Sequence, residues 1–192
     1  MHIIETLYPD WEGAYIHESS PSEGGASAKI KRLCNNYIAS QFYMGKKPGE
    51  YEGLFRNEDL SNQSFDNEIF DMVVTQDVLE HVFNAEKVFC EIARTLKPEG
   101  FHIFTVPLVN KEKPTEKTAE INKDGTLTYF TPPEYHGNPI DCNGSLVTYK
   151  WGYDIVDIIQ KSCNMVSEIY TLDDIGLGIR AEYIDVIVSR KQ

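Results

Sequence analysis

The residues of this chain that could do chemistry come one group after another, each behind a short apolar run. Glu18, Ser19 and Ser20 follow the run 14–17 and lead to a Gly24-Gly25 pair. Ser40-Gln41 close the run 36–40, Asp59-Leu60 come after 51–56, and Thr75-Gln76-Asp77, then Glu80-His81, close 70–75. Carboxylates, hydroxyls and amides can hydrogen-bond a polar ligand, and glycines let backbone approach it. An imidazole, with an ordinary pKa of about 6.5, can move a proton at neutral pH. His81 is one such group. His136, in Glu134-Tyr-His-Gly-Asn-Pro139, is a second, in a polar and aromatic stretch of the kind that selects substrates from a loop. Each has an ordinary alternative: residues 19–25 as a turn, Asp77 as a helix N-cap, His81 as a capping or half-buried histidine, His136 as an exposed loop side chain. His2, His17 and His102 show no constellation.

Such scattered residues act together only if the fold brings them to one place. Runs rich in β-branched and aromatic residues at 14–17, 36–40, 51–56, 70–75 and 101–106 read as strands, and 165–171 and 182–189 as two more. Segment 26–33 has helical character, and in 85–96 Val88, Phe89, Ile92, Ala93 and Leu96 make one helical face. Lys97-Pro-Glu-Gly100 is expected to stop that helix, and a last helix is expected at 153–162. Strands interleaved with helices imply a doubly wound α/β fold, mostly parallel, covered on both faces. Ligands then bind at the carboxyl ends of the strands, where all these groups fall. Residues 108–150 lack a sustained period and read as a long lid, with 111–123 charged and mobile and 129–149 ordered. The 192 residues make a single domain.

With 18 Lys+Arg against 30 Asp+Glu, the net charge of −12 disfavours a nucleic-acid backbone and an anionic membrane surface as partners. No leader pattern and no run of about 18 apolar residues occurs, so a cytoplasmic protein is expected. Cys34, Cys90, Cys142 and Cys163 have no zinc-ligand spacing; they read as core thiols, and no metal is expected. Monomer and homodimer are not distinguished.

The segment from Asp59 through Phe70-Asp-Met-Val-Val-Thr-Gln-Asp-Val-Leu-Glu-His-Val82, followed by Glu91-Ile-Ala-Arg-Thr-Leu-Lys-Pro-Glu-Gly100 and a strand, resembles the class I S-adenosylmethionine-dependent methyltransferases, in particular their small-molecule branch. The resemblance is strong over 59–107, weaker over 14–41 and the terminal elements, and absent from 108–150. It implies a seven-stranded sheet with an antiparallel last strand, and a methyl donor lying across the ends of the first four strands.

By that resemblance Glu18 organises the donor loop, but Ser19, Ser20 and Pro21 stand in place of the early glycines and only Gly24 and Gly25 arrive. Pro21 removes an N–H donor, and the serines could crowd the donor or hydrogen-bond it. The family's ribose-binding acid is missing at the end of the second strand: 23 residues on from Glu18 stands Gln41, beside Ser40. Asp59-Leu60 take the adenine position, and Thr75, Gln76 and Asp77 the floor under the sulfonium. If the acceptor is a hydroxyl, His81 is the first candidate base and His136 the second. The implied function is transfer of a methyl group from S-adenosylmethionine to a small or carbohydrate-like acceptor, with oxygen as the site methylated. A catalytically inactive binding or scaffold protein of the same fold is the alternative, favoured by the altered loop and Gln41. A nicotinamide-dependent oxidoreductase is disfavoured, because no Gly-x-Gly-x-x-Gly follows the first strand.

Overall fold

A computed structural model describes residues 1–138 and 142–192; Pro139, in the candidate acceptor stretch, lies outside them. Its centre is an eight-stranded sheet. In chain order the strands are β1 (Tyr15–Ser19), β2 (Asn36–Gln41), β3 (Tyr51–Glu52), β4 (Phe55–Asn57), β5 (Phe70–Gln76) and β6 (Leu96–Thr105). Three small ladders follow, built from β7 (Glu116–Lys117), β8 (Ala119–Ile121), β9 (Leu127–Tyr129), β10 (Tyr135–His136), β11 (Ser145–Leu146) and β12 (Tyr149–Lys150). The sheet is completed by β13 (Val166–Thr171) and β14 (Asp185–Arg190). The helices are α1 (His2–Leu7), α2 (Gly25–Leu33), α3 (Ala85–Thr95) and α4 (Ile155–Cys163). Strand order is β13-β14-β6-β5-β1-β2-β4-β3, parallel from β4 through β6, with β14 antiparallel to both its neighbours.

The pleat of β5 accounts for the two covered faces. Val73 packs toward α3 and α4 with Val88, Phe89, Ile92 and Ile155, whereas Met72 and Val74 face the α1 and α2 side with Ile4 and Ile30. Asn84 starts α3 by accepting a hydrogen bond from the Lys87 N–H at 3.0 Å, and Val88, Phe89 and Ile92 behind it are fully buried. Each contributes about 1.5–3 kcal/mol by leaving water, so Phe89→Ala is expected to cost about 3–5 kcal/mol.

Four sequence expectations change. Residues 51–56 are not one strand: the chain reverses at Gly53-Leu54, giving a hairpin whose outer arm is the eighth strand where seven were expected. Lys97-Pro-Glu-Gly100 does not separate helix from strand, because β6 begins at Leu96. There it pairs with Phe70 and regains register only at Phe101 opposite Met72, so the four residues form a bulge, with Glu99 at φ 65°. Segment 111–123 is not structureless: β7 pairs with β12, and β8 with β9. The cysteines are not all core thiols, since Cys34 is buried but Cys90 and Cys142 are exposed. No helix among the described residues is long and apolar enough to cross a membrane.

The region 108–150 is fastened to the end of β5. The Thr148 N–H donates to Glu80 O at 2.7 Å and its hydroxyl to Val82 O at 2.6 Å, while the Thr118 hydroxyl donates to Val147 O at 2.7 Å. Trp151, fully buried, stacks on Tyr149 at 4.8 Å and seats the region's last strand on α3 through Phe89.

Candidate functional site

Two groups of side chains meet at the carboxyl edge of the sheet. The first is built around Glu18, at the end of β1 and fully buried. Its Oε1 accepts from the Ser27 hydroxyl at 2.6 Å and from the Gln76 amide at 2.8 Å; its Oε2 accepts from the Tyr37 phenol at 2.8 Å. Burial, and then the Glu18 charge, push the Tyr37 phenol far above its ordinary pKa, so it remains a donor. The carboxylate therefore ties β1 to α2, β2 and β5, and each of its hydrogen bonds carries a charge that strengthens it. Ser27 and Tyr37 were invisible in the sequence, because nothing local marks a helix serine and a strand tyrosine as partners of one carboxylate.

Around this knot the loop of residues 19–25 turns into α2. Ser20 has φ 56° and its N–H donates to Ser40 O at 2.8 Å. It thus holds the left-handed conformation that glycine adopts freely, at a cost of about 1–2 kcal/mol for another residue. Gly25 is also left-handed, at φ 56°, and a side-chain carbon on Gly24 or Gly25 would meet nothing within 4 Å, so this backbone borders open space. Ser19 is buried beside the knot.

Two of the hydroxyls expected at the rim turn inward. The Ser40 hydroxyl lies 2.7 Å from His17 Nε2, and that of Thr75 lies 3.1 Å from His102 Nε2, all fully buried. Only backbone atoms of Ser40 and Thr75 are left for a ligand, because strand alternation points their side chains into the core. Burial lowers both His17 and His102 to a pKa of about 3, so each is neutral. Gln76 spends its amide on Glu18 and Ser27. Asp77 is exposed at φ 52° and accepts from the Thr105 hydroxyl at 3.1 Å. It caps no helix, since the turn Leu79–His81 begins after Val78 without a side-chain cap. Asp59 Oδ1 accepts from the Ser61 N–H at 2.8 Å in a tight turn, with Leu60 buried behind it; Gln41 ends β2 half-buried.

The second group gathers His81 and His136, distant in sequence, around Glu80. Glu80 is 2% exposed, and neither carboxylate oxygen has a hydrogen-bond partner among the described residues. Burial lifts its carboxyl to about 8. His81 Nδ1 sits 2.9 Å from Leu146 O and so carries the proton, leaving Nε2 as a lone pair 3.8 Å from Glu80 Oε1. Burial, only partly opposed by the Leu146 carbonyl, lowers the His81 pKa and keeps the ring neutral. His136 meets it edge-on at 5.1 Å, with Nδ1 4.0 Å from Glu80 Oε1 and Nε2 3.9 Å from Glu134 Oε1. β10 can approach β11 this closely because Gly144 faces it at φ 83°, where a Cβ would lie 2.5 Å from His136 O. A cavity of about 240 Å³ opens beside the cluster, lined by Glu80, His136, Glu134, Asn110, Tyr149 and Lys150 among others. Glu134 and Lys150, 3.2 Å apart, were not singled out in the sequence, since a charged residue just before one short strand and another within a second carry no local signal.

Comparisons with known proteins bear on the fold that carries these groups. Residues 27–104 match the family described as "Methyltransferase domain". Among similar solved structures is an S-adenosylmethionine-dependent methyltransferase from Mesorhizobium loti, 13% identical, covering 99% of this chain and 96% of that one at a TM-score of 0.63. Another is 1,6-didemethyltoxoflavin-N1-methyltransferase from Burkholderia thailandensis with bound 1,6-didemethyltoxoflavin and S-adenosylhomocysteine. It is 12% identical and covers 99% and 75% of the two chains at a TM-score of 0.59. A third, from Methanosarcina mazei, is 14% identical over 96% of each chain with a TM-score of 0.55. At these identities the likeness is one of fold. No curated protein matches the sequence.

Proposed function

Taking the chain as a class I S-adenosylmethionine-dependent methyltransferase, we propose that it methylates an oxygen of a small, hydroxyl-rich acceptor held in the 240 Å³ cavity. The observation that carries this reading is the convergence of Glu80, His81 and His136 at the end of β5, beside a cavity with acidic, basic, amide and aromatic walls. Such a lining suits a sugar-like molecule, whose hydroxyls need donors and acceptors and whose faces can lie on Tyr149. The 1,6-didemethyltoxoflavin-N1-methyltransferase neighbour, solved with bound 1,6-didemethyltoxoflavin, supports the size class.

When bound, S-adenosylmethionine supplies a methyl group on a sulfonium that leaves without covalent help. The chain's task is then to align and to manage one proton. Gly24 and Gly25, whose backbone borders open space, would hold the donor's methionine part, and Asp59 with the Leu60 N–H would hold its adenine. His81, neutral with its Nε2 lone pair inward, would take the acceptor's proton, with His136 beside it as the second candidate base. A non-catalytic binding role is the second reading, favoured by Ser20 and Gln41 standing where a glycine and an acid are expected.

Incubation with methyl-labelled donor and a panel of sugars, sugar phosphates and phenols tests the reading. Label is expected in an oxygen-linked methyl group of a hydroxyl-rich compound. Transfer to nitrogen acceptors alone would overturn the oxygen assignment.

A further inference from the structure

We propose that Glu80, His81 and His136 bind one divalent transition-metal ion of the zinc class, with an open coordination position facing the 240 Å³ cavity. The sequence holds no spacing that announces such a site; β10 and the turn after β5 bring the three ligands together. One ligand atom from each lies within 4.8 Å of the others, and Glu80 Oε1 is 3.8 Å from His81 Nε2 and 4.0 Å from His136 Nδ1. Bonds of 2.0–2.1 Å to a tetrahedral ion put ligand atoms about 3.3 Å apart, so each glutamate–histidine pair needs to close by roughly half an ångström and the widest pair by up to about 1.5 Å. His136, on a half-exposed hairpin, can supply that movement.

Two independent observations point to an ion here. Glu80 is 98% buried without a hydrogen-bond partner among the described residues, and its Oε1 faces a ring nitrogen of each histidine. Burying a carboxylate alone is costly, and a cation between it and the rings removes that cost. The second observation is the orientation of the rings. His81 donates Nδ1–H to Leu146 O at 2.9 Å, which fixes the tautomer with the Nε2 lone pair inward; a metal-binding histidine is held in this way by a backbone carbonyl. On the far side of His136, the Glu134 carboxylate, 3.9 Å from Nε2, stands where such a ligand's outer partner belongs. Two imidazoles and one carboxylate favour zinc, cobalt or iron over magnesium or calcium.

The role, though not the existence, of the site rests on the methyl-transfer reading. With the ion in place His81 and His136 become ligands and no longer take the acceptor's proton. An acceptor hydroxyl coordinated at the open position would become more acidic.

Cobalt(II), whose absorption reports its ligands, is the probe for the metal-stripped full chain, with zinc as competitor and S-adenosylhomocysteine titrated separately into the same samples. One equivalent of cobalt is expected, displaced by zinc and not by equal magnesium. His136→Ala, on an exposed hairpin, is expected to weaken cobalt by more than the roughly 10–100-fold that outer-partner changes cost, and to leave nucleoside binding unaltered. His2→Ala is the control for chelation at the amino terminus and is expected to change nothing. In the unaltered chain zinc should shift two of the five histidine ring signals in NMR spectra, which reads the site without any variant. Cobalt that binds equally to His136→Ala, that is lost in His2→Ala, or that does not bind at all overturns the proposal. Cobalt binding without nucleoside binding would leave the metal site standing and remove the methyl-transfer reading instead.

Discussion

Two buried glutamates, each at the end of a neighbouring strand of one sheet, have opposite surroundings. Glu18 accepts three hydrogen bonds from Ser27, Gln76 and Tyr37, whereas Glu80, just after β5, accepts none among the described residues. A saturated carboxylate holds structure together; a bare one has its lone pairs free for the ligand proposed above. On the proposed reading, the donor side is a finished piece of framework around open loop backbone, and the acceptor side is the place of the proposed ion.

Acid gives the largest effect. His17, beneath the donor rim, and His102 next to it have folded pKa values of about 3, set mainly by burial, against about 6.5 in an unfolded chain. Between those values the unfolded state binds protons that the folded state refuses. The histidines' contribution is therefore complete above pH 6.5 and falls as pH drops toward 3, by about 1.4 kcal/mol per pH unit for each; Glu80, whose folded carboxyl at about 8 keeps a proton that an unfolded glutamate releases near 4.5, opposes one histidine's share between those two values. Urea midpoints measured from pH 7 to pH 4.5 should show it, and His17→Leu should flatten the slope by one histidine's share. An unaltered slope would mean that His17 is not neutral and buried.

The glutamate comparison comes next in size. Glu18→Ala strands two hydroxyls and an amide and is expected to cost about 3 kcal/mol or more in denaturant unfolding, while Glu80→Gln in metal-free protein should be within about 0.5 kcal/mol of the parent. Equal losses would erase the distinction between framework and site. Asp59→Ala should weaken S-adenosylhomocysteine by about 1–3 kcal/mol in a calorimetric titration, the cost of an unpaired adenine amine, where His136→Ala leaves that affinity unchanged. The smallest effect is expected at Ser20. Ser20→Gly removes left-handed strain and adds unfolded-chain freedom, for a net gain of about 0.5–1 kcal/mol in thermal unfolding; a loss would mean that the Ser20 side chain is needed in the loop.

The parts of the fold that were legible in the sequence are those whose pattern is local. Residues 70–76 and 85–95 carry their period in consecutive side chains, and the tertiary contacts agree with it. The hairpin at 51–57 was missed because a two-residue arm has no period to read, and the ladders of 108–150 were missed for the same reason. At the site, the residue types after each strand could be listed, but which way they point could not. Ser40 and Thr75 turn into the core because they share a face with His17 and His102. His81 and His136 were each singled out alone. Their meeting around Glu80 depends on Thr148 clipping the insertion to β5 and on Gly144 letting the hairpin close.

The measurement that bears most directly on the central claim is a calorimetric titration of the folded, unaltered chain with S-adenosylmethionine and with S-adenosylhomocysteine. Saturable heat with one site per chain is expected from both, and no heat up to millimolar ligand would contradict a donor site at this sheet edge.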